Sequence, residues 1–276
     1  MVSRLETLEH ILNTMKDAMC DRIERHCVPN KEIEDWIITP DMDDETQTSL
    51  MMDMFEAEKY LAEHGCTICK VGETYRLTDC DTGHTAAGCT IDIIDCVHQG
   101  GRRVGTFHTH PTGLPIPSHD DLLCGFNWKT SYDFIGGKVG GRDVIVGYTP
   151  RPTSEMRYGH LAAMSIFRPG GTVWGDMPGE PIGVIRFYRE NPGPMVSELL
   201  KDFDYIFSSD MYDEDERAEF REELESGEIP DVFWDNYESE GEVDELLVYS
   251  EDVQREGFKE QVSHFSNIFD VIVRWC

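Results

Sequence analysis

The hydrophobic positions of the first 62 residues recur at helical spacing in two stretches. Leucines and methionines return every three or four residues over 4–26, which predicts an amphipathic helix. Residues 28–45 carry two prolines and the acidic run DMDDE, and this composition indicates a connection. Helical spacing resumes over 46–62, so a second helix is predicted there.

Short β-rich runs replace this spacing from Gly65 onward. The runs are CTICKV, ETYRL, CTIDIIDCV, RRVGTFH and, at 142–148, RDVIVGY. A helix is predicted over 119–130, the glycine-rich GGKVGG is predicted as a turn or flexible lid edge, and apolar segments at 161–167 and 182–188 are candidates to extend the sheet. The order of elements predicts an α+β or three-layer α/β/α core.

The last third of the chain is acidic and again shows helical spacing. Residues 202–260 contain 23 acidic and 4 basic side chains, a net charge of −19. Apolar positions still recur there at intervals that permit packed helical faces. We therefore predict three parts: an N-terminal helix and linker at 1–45, a central domain at 46–190, and an appended acidic helical module at 191–276.

The overall charge restricts the classes of partner. With 54 acidic and 24 basic residues the chain carries a formal charge of −30, which opposes binding to nucleic acid phosphates and to anionic membranes. Only 8 of the basic residues are lysines, and a surface of this kind suits a high-salt cytoplasm, where salt screens the self-repulsion. Neither nucleic acid nor membrane is expected as a partner.

The cysteines and the N-terminus bear on the compartment. No apolar run is long enough for a membrane span or a secretion signal, so a cytoplasmic location is predicted. Nine cysteines, an odd number, then favour reduced thiols or metal ligands over a disulfide framework. Cys66 and Cys69 form a C-x-x-C pair, but a strand would point them to opposite faces, so buried thiols are preferred to a second structural zinc.

The segment TFHTHPTGLPIPSHDDL, residues 106–122, carries the candidate chemistry. Side chains two apart on a strand share a face, so His108 and His110 are placed to share one metal ion. The following Pro/Gly-rich loop ends the strand, and Ser118 begins a helix whose first turn contains Asp121. Folding back of the loop would bring this carboxylate to the two imidazoles.

Two imidazoles and one carboxylate are typical of a catalytic zinc, because they leave a fourth tetrahedral position for water. Zinc lowers the pKa of that water to about 7, and a nearby carboxylate is then needed as general base. Each part has a simpler interpretation: His-x-His on a strand is often incidental, and Ser118 with Asp121 is also the pattern of a helix capping box. The combined spacing H-x-H-x7-S-x2-D favours the metal site.

This segment resembles the motif of the JAMM, or MPN+, metalloproteases, in which a distant glutamate precedes H-x-H-P, a loop and S-x-x-D. The resemblance implies that His108, His110 and Asp121 bind one zinc ion, that Ser118 stabilises the oxyanion, and that residues 46–190 form a cytidine-deaminase-like core. Glu63, between a helical pattern and a β-rich run, matches the position of the family's general base. Glu73 and Glu58 are the alternatives.

The resemblance also implies a function. We expect zinc-dependent hydrolysis of a peptide or isopeptide bond at the C-terminal tail of a ubiquitin-like or sulfur-carrier protein. The acidic C-terminal module is expected to be a docking element for a partner. One alternative is a virion-associated peptidase that processes tail-assembly proteins, and another is a noncatalytic MPN-type scaffold. The acidic composition suits a halophilic archaeon, or one of its viruses, as the source.

Overall fold

In a computed structural model the chain forms two compact units. One unit is drawn from residues 1–35, 58–182 and 248–276, and the other from residues 36–57 and 183–247. The structure describes residues 3–27, 33–50, 60–82, 91, 93–111, 113–118, 121–122, 131–151, 177–187, 200, 203, 214–226 and 244–276.

The first unit is built on a six-stranded sheet with the strand order β2-β1-β3-β4-β5-β8. Only the β3–β4 pair is parallel, and the other neighbours are antiparallel. The strands are β1 (His64–Val71), β2 (Thr74–Thr82), β3 (Arg102–His110), β4 (Tyr132–Val139), β5 (Arg142–Pro150) and β8 (Phe269–Trp275). The described residues of this unit also form the helices α1 (Arg4–His26), the short α3 (Ile94–His98) and α5 (Glu251–Phe265).

Helix α1 starts at a capping box and covers one face of the sheet. The Ser3 hydroxyl accepts a hydrogen bond from the Glu6 amide at 3.1 Å, while the Glu6 carboxylate accepts one from the Ser3 amide at 2.7 Å. The apolar stripe of the helix is fully buried against side chains from the strands, among them Phe107, Phe134 and Ile145. The stripe consists of Leu8, Ile11, Leu12, Met15, Met19 and Ile23.

Helix α5 covers the opposite face. Neighbouring residues of β5 belong to different core clusters: Ile145 packs with α1, whereas Val144 and Val146 pack with Phe258 and Phe265 of α5. This division follows from the alternation of side chains along a strand. The sheet is therefore buried on both faces within this unit.

The parallel β3–β4 pair controls the path of the chain near the candidate site. Two parallel strands cannot be joined by a tight turn, so the chain must cross from the carboxyl end of β3 back to the start of β4. Residues 111–131 make this crossover, and they include the loop and the acidic residue of the predicted metal motif. The topology thus places that motif beside the end of β3.

Among its described residues, the second unit contains two helices and two strands. Strands β6 (Gly183–Phe187) and β7 (Asp244–Val248) pair with each other, and Ile38 forms an isolated bridge with Val184. The helices are α2 (Asp44–Ser49) and α4 (Glu214–Ser226). A 3-10 helix, Glu34–Trp36, lies where the sequence passes from the first unit to the second. Arg186 on β6 donates a hydrogen bond to the Gln47 side chain at 2.9 Å.

The α+β class is confirmed, as are the first helix and the strand at 142–148. Three local predictions are wrong. The run at 89–97 contains a helix, α3; GGKVGG supplies the second half of β4 before a turn; and the helical spacing near the C-terminus continues into β8. In each case pairing or packing with distant residues overrides the local pattern.

The predicted domain boundaries also differ from the two units. The N-terminal helix belongs to the same unit as the central sheet, because its apolar stripe is buried there. Residues 248–276 belong to that unit as well, because β8 pairs with β5. The predicted helices at 46–62 and 119–130 are described only in part, and the apolar segment at 161–167 lies outside the described residues.

Six of the seven cysteines among the described residues form disulfides, so the prediction of reduced thiols is wrong for them. The pairs are Cys20–Cys276, Cys66–Cys80 and Cys69–Cys96. Cys66 packs in the core beneath α1, whereas Cys69 forms its disulfide with Cys96 of α3. The two side chains therefore point in different directions, as expected for residues three apart on a strand. Within the described part of the chain, no helix has the length and apolarity that crossing a membrane requires.

Candidate metal centre

The carboxyl end of β3 presents two histidines on one face of the sheet. Phe107 points into the core beneath α1, so the alternation of the strand turns His108 and His110 toward the opposite face. His108 is buried, and only 12% of the His110 side chain is exposed. Their Nε2 atoms lie 3.1 Å apart.

The crossover after β3 returns an aspartate to these histidines. Ser118 and Asp121 form a reciprocal capping pair: the Asp121 carboxylate accepts hydrogen bonds from the Ser118 amide at 2.6 Å and hydroxyl at 2.7 Å, and the Asp121 amide donates to the Ser118 hydroxyl at 3.2 Å. Ser118 and Asp121 therefore form a capping box and belong to the predicted metal motif at the same time. Ser118 fixes the orientation of the carboxylate that faces the histidines.

The donor atoms of the three residues converge. Asp121 Oδ1 lies 3.0 Å from His108 Nε2, and Asp121 Oδ2 lies 3.4 Å from His110 Nε2. Nitrogen and oxygen ligands at 2.0–2.1 Å from a tetrahedral zinc ion lie about 3.3 Å from one another. The Nε2–Nε2 separation of 3.1 Å is close to that value, and each carboxylate oxygen of Asp121 lies 3.0 or 3.4 Å from one of the two imidazoles. One donor atom from each residue lies within 4.8 Å of the other two, so the three residues fit a shared metal ion.

A backbone carbonyl orients His110. His110 Nδ1 lies 2.8 Å from the Leu114 carbonyl oxygen, which can only accept, so Nδ1 carries the proton and donates it. This leaves the Nε2 lone pair directed at the other ligands, as metal-binding histidines require. No sequence pattern predicts this contact, because any residue at position 114 supplies a carbonyl.

Glu63 lies beside the three ligands, directly before β1. Strand β1 pairs with β3 so that Gly65 lies opposite His108, which brings the preceding glutamate to the same end of the sheet. Glu63 Oε1 lies 3.8 Å from His110 Nε2, and 11% of the Glu63 side chain is exposed. The Glu63 carboxylate is thus close to the cluster of His108, His110 and Asp121 but is not one of its three donor groups.

Glu73, one alternative to Glu63, lies away from the three ligands. It lies in the turn between β1 and β2, at the other end of β1 from the histidines. Its side chain is 96% exposed and forms an ion pair with Lys70 at 3.4 Å. Glu58, the other alternative, and His119 and Asp120 lie outside the described residues.

The electrostatics of the cluster favour a bound cation. Burial lowers the pKa of both histidines, but the Asp121 and Glu63 carboxylates outweigh it; the pKa of His108 is raised, and that of His110 is raised to about 9. Burial would raise the pKa of Asp121, yet the two imidazoles hold that pKa well below its ordinary value. A metal ion would supply the positive charge that these carboxylates attract.

Comparisons with models of known protein families and with curated proteins find no match to this chain.

Proposed function

We propose that the protein is a zinc-dependent hydrolase of the JAMM type that cleaves a peptide or isopeptide bond. The observation that carries this proposal is the convergence of His108, His110 and Asp121 with donor separations of 3.0 to 3.4 Å, beside the buried carboxylate of Glu63. The sheet with α1 on one face and α5 on the other is consistent with the three-layer, deaminase-like core of that family.

His108, His110 and Asp121 would hold the ion, and zinc at a site with three protein ligands supplies a water whose pKa is about 7. Glu63 is placed to accept a proton at the edge of the cluster and to deliver it to the leaving amine. Its low exposure limits competition from bulk solvent for that proton. Ser118 orients Asp121 through two hydrogen bonds, and a contact between its hydroxyl and a developing oxyanion remains a prediction.

The substrate that the motif favours is the C-terminal tail of a ubiquitin-like or sulfur-carrier protein. An extended tail suits a site at the end of a strand, where main-chain hydrogen bonds can hold it. The charge of −30 favours a protein substrate over a nucleic acid. Processing of a virion protein would use the same residues and the same chemistry.

The test compares the wild type with Glu63→Gln and with the matched control Glu73→Gln. We expect Glu63→Gln to retain zinc and lose hydrolysis by a factor of about 10² to 10⁴, because proton transfer is lost while the ligands remain. Glu73→Gln should retain both, because Glu73 lies at the far end of β1. The assay measures zinc by elemental analysis and cleavage of a ubiquitin-like protein fused through its tail to a fluorescent reporter, with casein as a second substrate.

Two results would contradict the proposal. Equal activity of the two glutamine variants would remove Glu63 from the mechanism. Zinc binding by the wild type without cleavage of the tail fusion or of casein would instead support the noncatalytic scaffold.

A further inference from the structure

A second cluster of potential metal ligands lies on β1 and β2. His64 begins β1, Cys66 lies two residues along the same strand, and Cys80 lies on β2. One donor atom from each of the three residues lies within 4.8 Å of the other two. The two sulfurs are joined as a disulfide, and His64 and Cys66 are buried.

We propose that reduction of the Cys66–Cys80 disulfide creates a second metal site, in which His64, Cys66 and Cys80 bind Zn²⁺ or another thiophilic divalent ion. The disulfide accepts two electrons and two protons from a thiol reductant, which is itself oxidised to a disulfide. The two thiols then lose their protons as the ion binds, so the ion and two thiolates form a neutral unit. This site does not depend on the proposed hydrolase function.

The geometry makes the disulfide and the metal mutually exclusive. A disulfide holds its sulfurs about 2.0 Å apart, whereas two thiolates on one tetrahedral zinc ion lie about 3.8 Å apart. The histidine is already at the needed distance: His64 Nε2 lies 3.9 Å from Cys66 Sγ, against about 3.6 Å for a nitrogen and a sulfur that share a zinc ion. Reduction therefore frees the sulfurs to separate while His64 stays in place.

The protonation state of His64 also suits a ligand. Arg22 Nη1 lies 2.8 Å from His64 Nε2, and a guanidinium cannot accept a hydrogen bond, so Nε2 accepts and carries no proton. The lone pair is thus directed at a cation already, and the incoming ion would replace the guanidinium there. The positive charge of Arg22 also stabilises nearby thiolates.

A second histidine, His26 of α1, also lies at this cluster. The His26 ring stacks on the His64 ring with centroids 3.9 Å apart and planes 4° from parallel, which holds the His64 ring in its orientation. Three protein donors leave one position of a tetrahedral ion for solvent. Cys80 is partly exposed, which gives an ion and a reductant access.

The test uses Co²⁺ as the probe, because thiolate ligation to Co²⁺ produces a strong sulfur-to-metal charge-transfer absorption in the near ultraviolet. Metal-free protein with its disulfides intact should bind about one equivalent of Co²⁺ without this absorption. After reduction with a phosphine it should bind a second equivalent and show the absorption. Cys66→Ser/Cys80→Ser should lose the second equivalent, whereas the matched control Cys69→Ser/Cys96→Ser should keep it.

His64→Gln provides a variant that keeps every cysteine, and we expect it to weaken binding of the second equivalent at least tenfold. His108→Ala/His110→Ala should keep the charge-transfer absorption, which separates this site from the proposed hydrolase centre. A reduced wild type with native circular dichroism and no second equivalent would overturn the proposal. Loss of the native circular dichroism on reduction would overturn it equally, because the folded chain would then not hold the site.

Discussion

At His110 both ring nitrogens have a defined partner. Nδ1 faces the Leu114 carbonyl, and Nε2 faces the carboxylate of Asp121 and the second histidine. The side chain is therefore fixed by its surroundings before any ion binds. This preorganisation lowers the entropic cost of binding a metal.

Replacement of His110 by alanine should remove the metal and leave the fold. We expect His110→Ala to lose about one equivalent of zinc, since two remaining donors rarely retain a catalytic ion. The sheet should persist, because the histidine lies at the end of β3 while the core packs along its middle. Elemental analysis and circular dichroism measure the two quantities, and full zinc retention would disprove the ligand assignment.

The pH dependence of stability has one clear source at His64. Burial, and then the positive charges of His26 and Arg22, lower the pKa of His64 to about 4 from an ordinary value of 6.5. The unfolded chain therefore binds more protons than the folded chain between those two values. The contribution of His64 to stability is complete above pH 6.5 and is lost as the pH falls toward 4.

Between pH 7 and pH 4, we expect the titration of His64 to lower the free energy of unfolding by about 2 to 3 kcal/mol. The measurement is urea unfolding of metal-free, oxidised protein at both pH values, with His64→Gln as the reference. The advantage of the wild type over the variant should shrink by that amount at the lower pH. If the difference in unfolding free energy between wild type and variant were the same at both pH values, His64 would have the same pKa in the folded and the unfolded chain.

Among the elements, helix α1 approaches the sheet closely because β4 carries glycine at the contact. A Cβ atom at Gly136 would lie 2.5 Å from Ile23 Cγ1 and 3.1 Å from Phe107 Cε2. No side chain can therefore be added there without displacing the helix or its neighbours. Gly136 is also one of the glycines for which the segment GGKVGG was predicted to be a turn.

Gly136→Ala should destabilise the protein by about 1 to 3 kcal/mol, because the added methyl group overpacks the interface between α1 and the sheet. Ile23→Ala alone should cost about 2 to 5 kcal/mol through the cavity it creates. Combined, the two changes should cost less than their sum, because the smaller side chain makes room for the methyl group. Urea unfolding of the four proteins measures the coupling, and strict additivity would contradict this description of the contact.

The elements also show what the sequence could and could not predict. The α1 stripe and the His-x-His alternation are local patterns, and both are found as predicted. Strand β8 was missed because its apolar residues also satisfy helical spacing, and only pairing with β5 makes it a strand. The cysteine pairs were missed because connectivity depends on which strands become neighbours, as with Cys66 on β1 and Cys80 on β2.

For the molecule as a whole, the dominant feature is its negative charge. The net −19 of residues 202–260 is most of the −30 of the entire chain, and α4 alone carries a run of acidic side chains on its exposed face. Such charges repel one another over the screening length of the solution, which is about 3 Å at 1 M salt and 10 Å at 0.1 M. Stability should therefore depend on salt concentration.

We expect the melting temperature to be lower at about 0.1 M than at about 2 M sodium chloride, because weaker screening exposes the folded state to more self-repulsion. Salt also strengthens hydrophobic burial, so a charge-reduced variant is the necessary control. In that variant four exposed glutamates of α4 become glutamine: Glu216, Glu219, Glu222 and Glu225. Its melting temperature should respond less to salt than that of the wild type, since fewer charges need screening. A wild type that melts at the same or a higher temperature in 0.1 M salt than in 2 M salt would reject the high-salt adaptation. If salt raised the melting temperatures of both proteins equally, the stabilisation would come from strengthened hydrophobic burial and not from charge screening.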